Sequence, residues 1–147
     1  MAGNVKILLV DDNPMILGML SQALAKFAEL QTSSDPADAL TRINDAPPDL
    51  VIADYQMPGI NGRELVERVK AQVATARVPI ILMATKSDQN EKLKVIEDRV
   101  EEFLEKPFFM KEATARIKRI VDKIALEKMA REAPAEGVLR GSLQQMN

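Results

Sequence analysis

Short apolar runs alternate five times with segments of helical periodicity, and this alternation restricts the possible folds more than any other feature of the sequence. A continuous apolar run suits a strand buried on both faces, whereas apolar residues recurring every three or four positions suit a helix packed on one side. The candidate strands lie at 5–10, 30–33, 50–53, 80–84 and 100–104. Because strands joined by helical crossovers pair in parallel, we predict a doubly wound α/β domain with a five-stranded parallel sheet.

Helix signals separate these runs. Pro14 suits the first turn of a helix, and Ser34-Asp35-Pro36 is a typical helix start. A short charged helix is expected around 89–98 and a long amphipathic one over about 110–132. The last helix runs past the sheet that it covers, and we expect its end to be a solvated overhang.

The composition excludes several kinds of site. The 147 residues include no histidine and no cysteine, so zinc fingers, thiolate nucleophiles, Ser–His pairs and haem ligation are ruled out. With 20 basic and 22 acidic residues the net charge is −2, which gives no general attraction to nucleic acid or to an acidic membrane. The first residues are too few for a signal peptide or membrane span. Without cysteine the chain needs no disulfide, which suits the cytoplasmic location that we expect.

Acidic residues and one lysine follow three of the predicted strands. Asp11 and Asp12 come directly after the first strand, and Asp54 follows the third. Lys106 lies just beyond the fifth. Because ligands of such sheets bind at the carboxyl ends of the strands, we expect these side chains to lie together. Carboxylates can hold Mg²⁺ and can also attack phosphorus, while a lysine would balance the charge of the transferred group.

Asp54 is the candidate nucleophile because it stands alone at the end of its strand, in the middle of the set. Asp11 and Asp12 are adjacent, and a bent turn that brings them together suits a metal. Each residue alone also has a structural interpretation. Aspartate is common in turns, Asp12 could cap the helix that begins at Pro14, and Lys106 could be a surface lysine. The functional interpretation depends on all four meeting at one edge.

Four ordered motifs strengthen that interpretation. They are Val-Asp-Asp-Asn-Pro at 10–14, Asp-Leu-Val-Ile-Ala-Asp-Tyr-Gln-Met-Pro-Gly-Ile-Asn-Gly at 49–62, Val-Pro-Ile-Ile-Leu-Met at 78–83 and Phe-Leu-Glu-Lys-Pro-Phe at 103–108. In this order they resemble a response-regulator receiver domain similar to chemotaxis regulators. The resemblance covers roughly 5–124 and implies a flavodoxin-like fold with strand order 2-1-3-4-5.

The resemblance also implies roles for the residues at the strand ends. Asp54 would be phosphorylated by a sensor histidine kinase or a phosphotransfer protein. Asp11, Asp12 and Asp54 would bind Mg²⁺, together with the backbone carbonyl of Gln56. Lys106 would contact the phosphoryl group, and the peptide bond that follows it would be cis. The domain would then act on a downstream output domain or protein.

The chain departs from the family at the end of the fourth strand. The family usually has Thr or Ser there, followed by Ala or Gly, whereas this chain reads Ala84-Thr85. Phe103 occupies the aromatic position that the family couples to that hydroxyl. We expect phosphorylation to be retained and its coupling to be weakened, unless a twist of the strand lets Thr85 substitute.

The last twenty residues are expected to lie outside the core domain. We place the receiver at 4–127, followed over 128–147 by a helix extension and a linker. The segment 137–147 is similar to the first strand of a PATAN output domain, which suggests a fragment of a longer protein. No basic recognition helix is visible, so DNA binding by this chain is not expected. The family allows a homodimer, but nothing in the sequence requires one.

Two other functions remain open at this point. A pseudo-receiver would be a protein-interaction module with the same fold that needs no phosphate, and Ala84 keeps this alternative alive. A Mg²⁺-dependent phosphatase would also use an aspartyl-phosphate. It is disfavoured because Gln56 stands where such enzymes have a second aspartate and because no cap domain is visible. The leading prediction is a phosphoacceptor switch, not a turnover enzyme.

Overall fold

Five parallel strands form one sheet in the computed structural model, which describes residues 4–88, 94 and 96–132. The sheet has the order β2-β1-β3-β4-β5, and every adjacent pair is parallel. The predicted fold class and strand order are therefore confirmed. The strands are β1 (Lys6–Val10), β2 (Glu29–Ser33), β3 (Leu50–Asp54), β4 (Ile80–Thr85) and β5 (Glu102–Lys106).

Four α-helices connect or follow the strands within the described residues: α1 (Pro14–Leu24), α2 (Pro36–Asp45), α3 (Gly62–Lys70) and α4 (Met110–Arg131). Side chains cap three of the helix starts, because Asn13, Asp35 and Asn61 each accept a hydrogen bond from a backbone N–H of the first turn. Asn13, and not Asp12, caps α1. The Asp12 carboxylate is therefore not used in helix capping.

The helices bury two separate aliphatic clusters, one on each face of the sheet. Because successive side chains of a strand point to opposite faces of the sheet, the same strands contribute residues to both clusters. The first cluster lies under α2 and α3 and includes Leu8, Ala53, Leu82, Ile43, Leu65 and Val66. The second lies under α1 and α4 and includes Leu9, Ile52, Met83, Leu24, Ile117 and Val121. Burial on both faces holds the strand ends at fixed positions along one edge.

The structure differs from the predicted element boundaries around β5. The strand begins at Glu102, not at Val100, because pairing with β4 starts at Glu102 opposite Ile81. Apolar residues located the strand, but pairing with its neighbour determines its ends. Most of the charged helix predicted over 89–98 lies outside the described residues, and Glu97–Arg99 forms a 3-10 turn.

Most side chains at the end of α4 are exposed, as expected for a solvated overhang, but Lys128 ties this end of the helix to the rest of the domain. Lys128 Nζ donates to the Asn4 carbonyl at 2.8 Å and lies 3.1 Å from Asp49 Oδ2. The same Asp49 oxygen accepts from the Lys6 backbone N–H at 2.8 Å. A partly buried ion pair thus joins α4 to the start of β1 and to the loop before β3.

The remainder of the predicted tail cannot be compared with the fold. The linker and the PATAN-like segment fall within 133–147, outside the described residues. The boundary placed after residue 127 stays a prediction, and α4 crosses it without a break. No helix among the described residues is long and apolar enough to span a membrane.

Candidate functional site

The carboxyl ends of β1, β3 and β5 bring four predicted residues together. Asp11 and Asp12 follow β1, Asp54 is the last residue of β3, and Lys106 is the last residue of β5. The lysine reaches across the end of β4, whose last residue Thr85 pairs with it. The peptide bond from Lys106 to Pro107 is cis, as the resemblance implied.

One ammonium group lies between two carboxylates at this edge. Lys106 Nζ is 3.1 Å from Asp54 Oδ1 and 3.5 Å from Asp11 Oδ2. Its side chain is 22% exposed, whereas the carboxylates of Asp11 and Asp54 are almost completely buried. A single positive charge does not balance the acidic group, because Asp12 adds a third carboxylate at the exposed side.

The three carboxylates lie close enough together to share one hard divalent cation. One oxygen each from Asp11, Asp12 and Asp54 can be chosen so that all lie within 4.8 Å of one another. Asp11 Oδ1 accepts a hydrogen bond from the Asn13 backbone N–H at 2.9 Å. Its buried Oδ2 has the Lys106 ammonium nearby at 3.5 Å but accepts no hydrogen bond. A Mg²⁺ ion would satisfy that oxygen, so these residues fit the ion that the family implies.

Burial makes both inner carboxylates harder to ionise. It raises the pKa of Asp54 above 3.8; the negative charge of Asp11 raises it further, and Lys106 and the Gln56 backbone lower it only in part. Burial also raises the pKa of Asp11, against smaller lowering effects from the Asn13 backbone and from Lys106. Two buried carboxylates of like charge disfavour joint ionisation, and a bound cation would relieve this.

A glycine at the start of α3 lets the loop after Asp54 pack tightly. Gly62 N–H donates to the Tyr55 carbonyl at 2.8 Å, directly beside Asp54. A Cβ atom on Gly62 would lie 2.8 Å from Tyr55 Cα and 3.3 Å from the Asp54 carbonyl oxygen. The loop that follows Asp54 therefore depends on the missing side chain at residue 62.

The residues predicted to form the switch lie on β4 and β5. Ala84 is fully buried in the same cluster as Leu82, and Phe103 packs against that cluster while remaining half-buried. The Thr85 hydroxyl lies 3.0 Å from Ser87 Oγ and accepts from the Asp88 backbone N–H at 3.2 Å. These contacts place the Thr85 hydroxyl in the turn after β4.

Sequence reasoning missed Asp88, which is only 8% exposed. Its Oδ1 accepts from the Gln56 side-chain amide at 2.6 Å, and its Oδ2 accepts from the Thr85 backbone N–H at 3.0 Å. Burial raises the pKa of Asp88, but hydrogen bonds from Gln56 and Thr85 outweigh that effect and hold it below its ordinary value. The only signal in the sequence is an aspartate three residues after a strand, which is common in turns.

Comparison with known proteins identifies the family. Residues 7–118 match the response regulator receiver domain family. The sensor histidine kinase TmoS of Ectopseudomonas mendocina is 32% identical over 128 residues, which are 86% of this chain and 13% of that protein. The phosphate regulon transcriptional regulatory protein PhoB of Pseudomonas aeruginosa is 33% identical over 116 residues, 78% of this chain and 51% of PhoB. The chain therefore spans about half or less of these relatives.

Solved structures agree with this result. The chemotaxis response regulator CheY4 of Vibrio cholerae superimposes with a TM-score of 0.71 at 29% identity, covering 80% of this chain and 98% of that one. The family match over 7–118 includes β2 to β5, all but the first residue of β1, and the acidic edge described above. The chain thus belongs to the response regulator receiver domain family of two-component systems.

Proposed function

We propose that this receiver is a phosphoacceptor switch in which Asp54 becomes phosphorylated. The proposal rests chiefly on one observation, the contact between Asp54 Oδ1 and Lys106 Nζ at 3.1 Å within a buried acidic group. Asp11, Asp12 and Asp54, with the Gln56 backbone carbonyl, would hold Mg²⁺. The ion would supply positive charge for the oxygens of the incoming phosphoryl group.

In the proposed reaction a phosphoryl group passes from a donor to Asp54. A carboxylate oxygen of Asp54 forms a bond to phosphorus while the bond from phosphorus to the donor nitrogen breaks. The Lys106 ammonium is placed to contact the transferred oxygens and to neutralise part of their charge. These 147 residues contain no histidine, so a phosphohistidine donor must lie outside them.

The same proposal extends to partners and location. The donor would be a sensor histidine kinase or a phosphotransfer protein, and the response would pass to an output domain or protein. The start of a PATAN-type domain in 137–147 is the candidate output within the chain. We propose that the domain acts in the cytoplasm, as a switch and not as a turnover enzyme, with homodimerisation as one means of output.

Intact-mass measurement tests the phosphoacceptor directly. The full chain is incubated with Mg²⁺ and acetyl phosphate, in parallel with Asp54→Ala and with Asp122→Ala, which removes an exposed carboxylate on α4. We expect one phosphoryl adduct on the wild type and on Asp122→Ala, and none on Asp54→Ala. An adduct that persists on Asp54→Ala would show that another residue is the acceptor. No adduct on any form, with several donors, would instead favour the pseudo-receiver.

We further propose that Ala84 weakens the transmission of the phosphorylated state. A ligand shifts an equilibrium only through contacts that differ between two states, and a hydroxyl at residue 84 would be one such contact. Ala84→Thr should therefore enlarge the NMR shift changes of Phe103 when Mg²⁺ and beryllofluoride, a phosphoryl mimic, are added. Equal changes in the two proteins would contradict this.

A further inference from the structure

Asp88 holds together two loops that belong to different strands. Its carboxylate accepts the Gln56 side-chain amide at 2.6 Å and the Thr85 backbone N–H at 3.0 Å. The Asp88 backbone N–H in turn donates to the Thr85 carbonyl at 3.1 Å and to the Thr85 hydroxyl at 3.2 Å. A carboxylate that is 8% exposed and bonded at both oxygens has little freedom to move.

The two loops are the ones that flank the phosphoacceptor. Gln56 comes two residues after Asp54, so its side chain belongs to the loop that would carry the phosphoryl group. Thr85 ends β4 and pairs with Lys106, the lysine that contacts Asp54. The positive charge of Lys106 also stabilises the ionised form of Asp88. It therefore connects the ends of β3, β4 and β5 through two hydrogen bonds and one electrostatic attraction.

We propose that Asp88 is a positioning residue that couples the loop after Asp54 to the end of β4, through an Asp88 latch formed by Gln56, Thr85 and Asp88. This role deepens the proposed function and rests on it. The latch provides a route from the phosphoacceptor to β4 that needs no hydroxyl at residue 84. In this chain Thr85 takes part through its backbone N–H.

Phosphorylation should loosen the latch. Phosphorylation replaces the single negative charge of the Asp54 carboxylate by the almost two of a phosphoryl group, a net gain of about one beside the loop that carries Gln56, and the phosphoryl group attracts Lys106 more strongly than Asp88 does. Asp88 then faces more repulsion and less attraction. The hydrogen bond from Thr85 N–H to its carboxylate should open more often, and the end of β4 should move more freely.

Hydrogen exchange of the Thr85 amide, followed by NMR on the isotope-labelled full chain, measures the latch without any phosphodonor. Asp88→Ala should speed this exchange about tenfold, since it removes a hydrogen bond to a charged group. Gln56→Ala should speed it about threefold, although residue 56 does not bond to Thr85. Asp88→Asn, which keeps an acceptor oxygen, should have an intermediate effect.

Double variants separate coupling from a general loss of structure. The Gln56→Ala effect on Thr85 should vanish in an Asp88→Ala background and persist in a Ser87→Ala background, which alters the turn but keeps the carboxylate. Exchange at the Leu9 amide, in β1 and away from the latch, should stay unchanged in all variants. If Gln56→Ala leaves Thr85 exchange unaltered in the wild-type background, the latch is refuted.

Adding Mg²⁺ and beryllofluoride then tests the link to phosphorylation. Relative to the same protein with Mg²⁺ alone, Thr85 exchange should rise about threefold in the wild type on addition of beryllofluoride and should not rise further in Asp88→Ala. An equal rise in both proteins would overturn the coupling role. The proposed function fails separately: a wild type that forms no adduct with acetyl phosphate refutes phosphorylation at Asp54, while the free-protein exchange rates still decide whether the latch exists.

Discussion

Gly62→Ala is the substitution whose effect the structure defines most closely. The new methyl group would lie 2.8 Å from Tyr55 Cα, 3.1 Å from Leu82 Cδ2 and 3.3 Å from the Asp54 carbonyl oxygen. Cβ atoms in proteins essentially never approach another heavy atom closer than 3.0 Å. The nearest atom here, Tyr55 Cα, belongs to the backbone and cannot move aside by a side-chain rotation. Either α3 or the loop after Asp54 must therefore move.

The size of the effect follows from two opposing contributions. Overpacking a well-filled site by one methyl group costs about 1–3 kcal/mol. Replacing glycine by alanine in a helix recovers about 0.5–1 kcal/mol. We expect the free energy of unfolding to fall by about 1–2 kcal/mol, which for a domain of this size lowers Tm by about 4–8 °C. Phosphorylation of Asp54 should slow as well, because its carbonyl is one of the groups displaced.

Gly18→Ala provides the matched control. Gly18 lies on the exposed side of α1, and a Cβ atom there would meet nothing within 4 Å. The same chemical change should therefore stabilise the protein by about 0.5–1 kcal/mol. Urea and thermal denaturation of both variants, followed by circular dichroism, measure the difference. If Gly62→Ala is as stable as the wild type, the close approach at Tyr55 does not constrain the loop and the reasoning is wrong.

Three further predictions concern the acidic site and α4. Burial raises the pKa of Asp54 above 3.8, so the folded protein favours the protonated carboxyl. The stability that this group contributes is therefore fully present below pH 3.8 and is lost as the pH rises through the raised pKa. Asp54→Asn should therefore stabilise the metal-free protein at neutral pH and not below pH 3.8, as measured by urea denaturation. Mg²⁺ at a hundredfold excess over its Kd should add about 2.7 kcal/mol to the wild type and much less to Asp54→Asn, with EDTA reversing the gain. Lys128→Met removes the bonds to Asn4 and Asp49 and should cost about 1 kcal/mol, whereas Lys123→Met, in a mostly exposed pair with Glu101, should cost little.

The acidic edge could be predicted because it depends on topology alone. Asp11, Asp54 and Lys106 each follow an apolar run, and parallel strands bring their carboxyl ends to one edge whatever the details of packing. The runs that form β1, β3 and β4 are almost free of charge and clearly predict strands, whereas β2 and β5 contain polar and charged residues and give a weaker signal. The order of the sheet came from the family resemblance, since apolar pattern does not determine which strands are neighbours.

Asp88 and Lys128 could not be predicted in the same way. The Asp88 carboxylate meets Gln56, which is 32 positions away, only because two loops turn towards each other. Lys128 meets Asp49 across 79 positions, and its neighbours in the sequence give it the pattern of an exposed helix end. Such contacts depend on the angle of a turn or the tilt of a helix, which local sequence specifies weakly.

The contact between Lys128 and Asn4 also brings the end of α4 next to the residue that precedes β1. Because α4 starts beyond β5 and runs back across the sheet, its last turn lies beside the residues that lead into β1. Entry and exit are therefore neighbours, on the side of the sheet opposite the acidic edge. A receiver whose two ends are neighbours can be inserted into a larger polypeptide without separating the segments that precede and follow it.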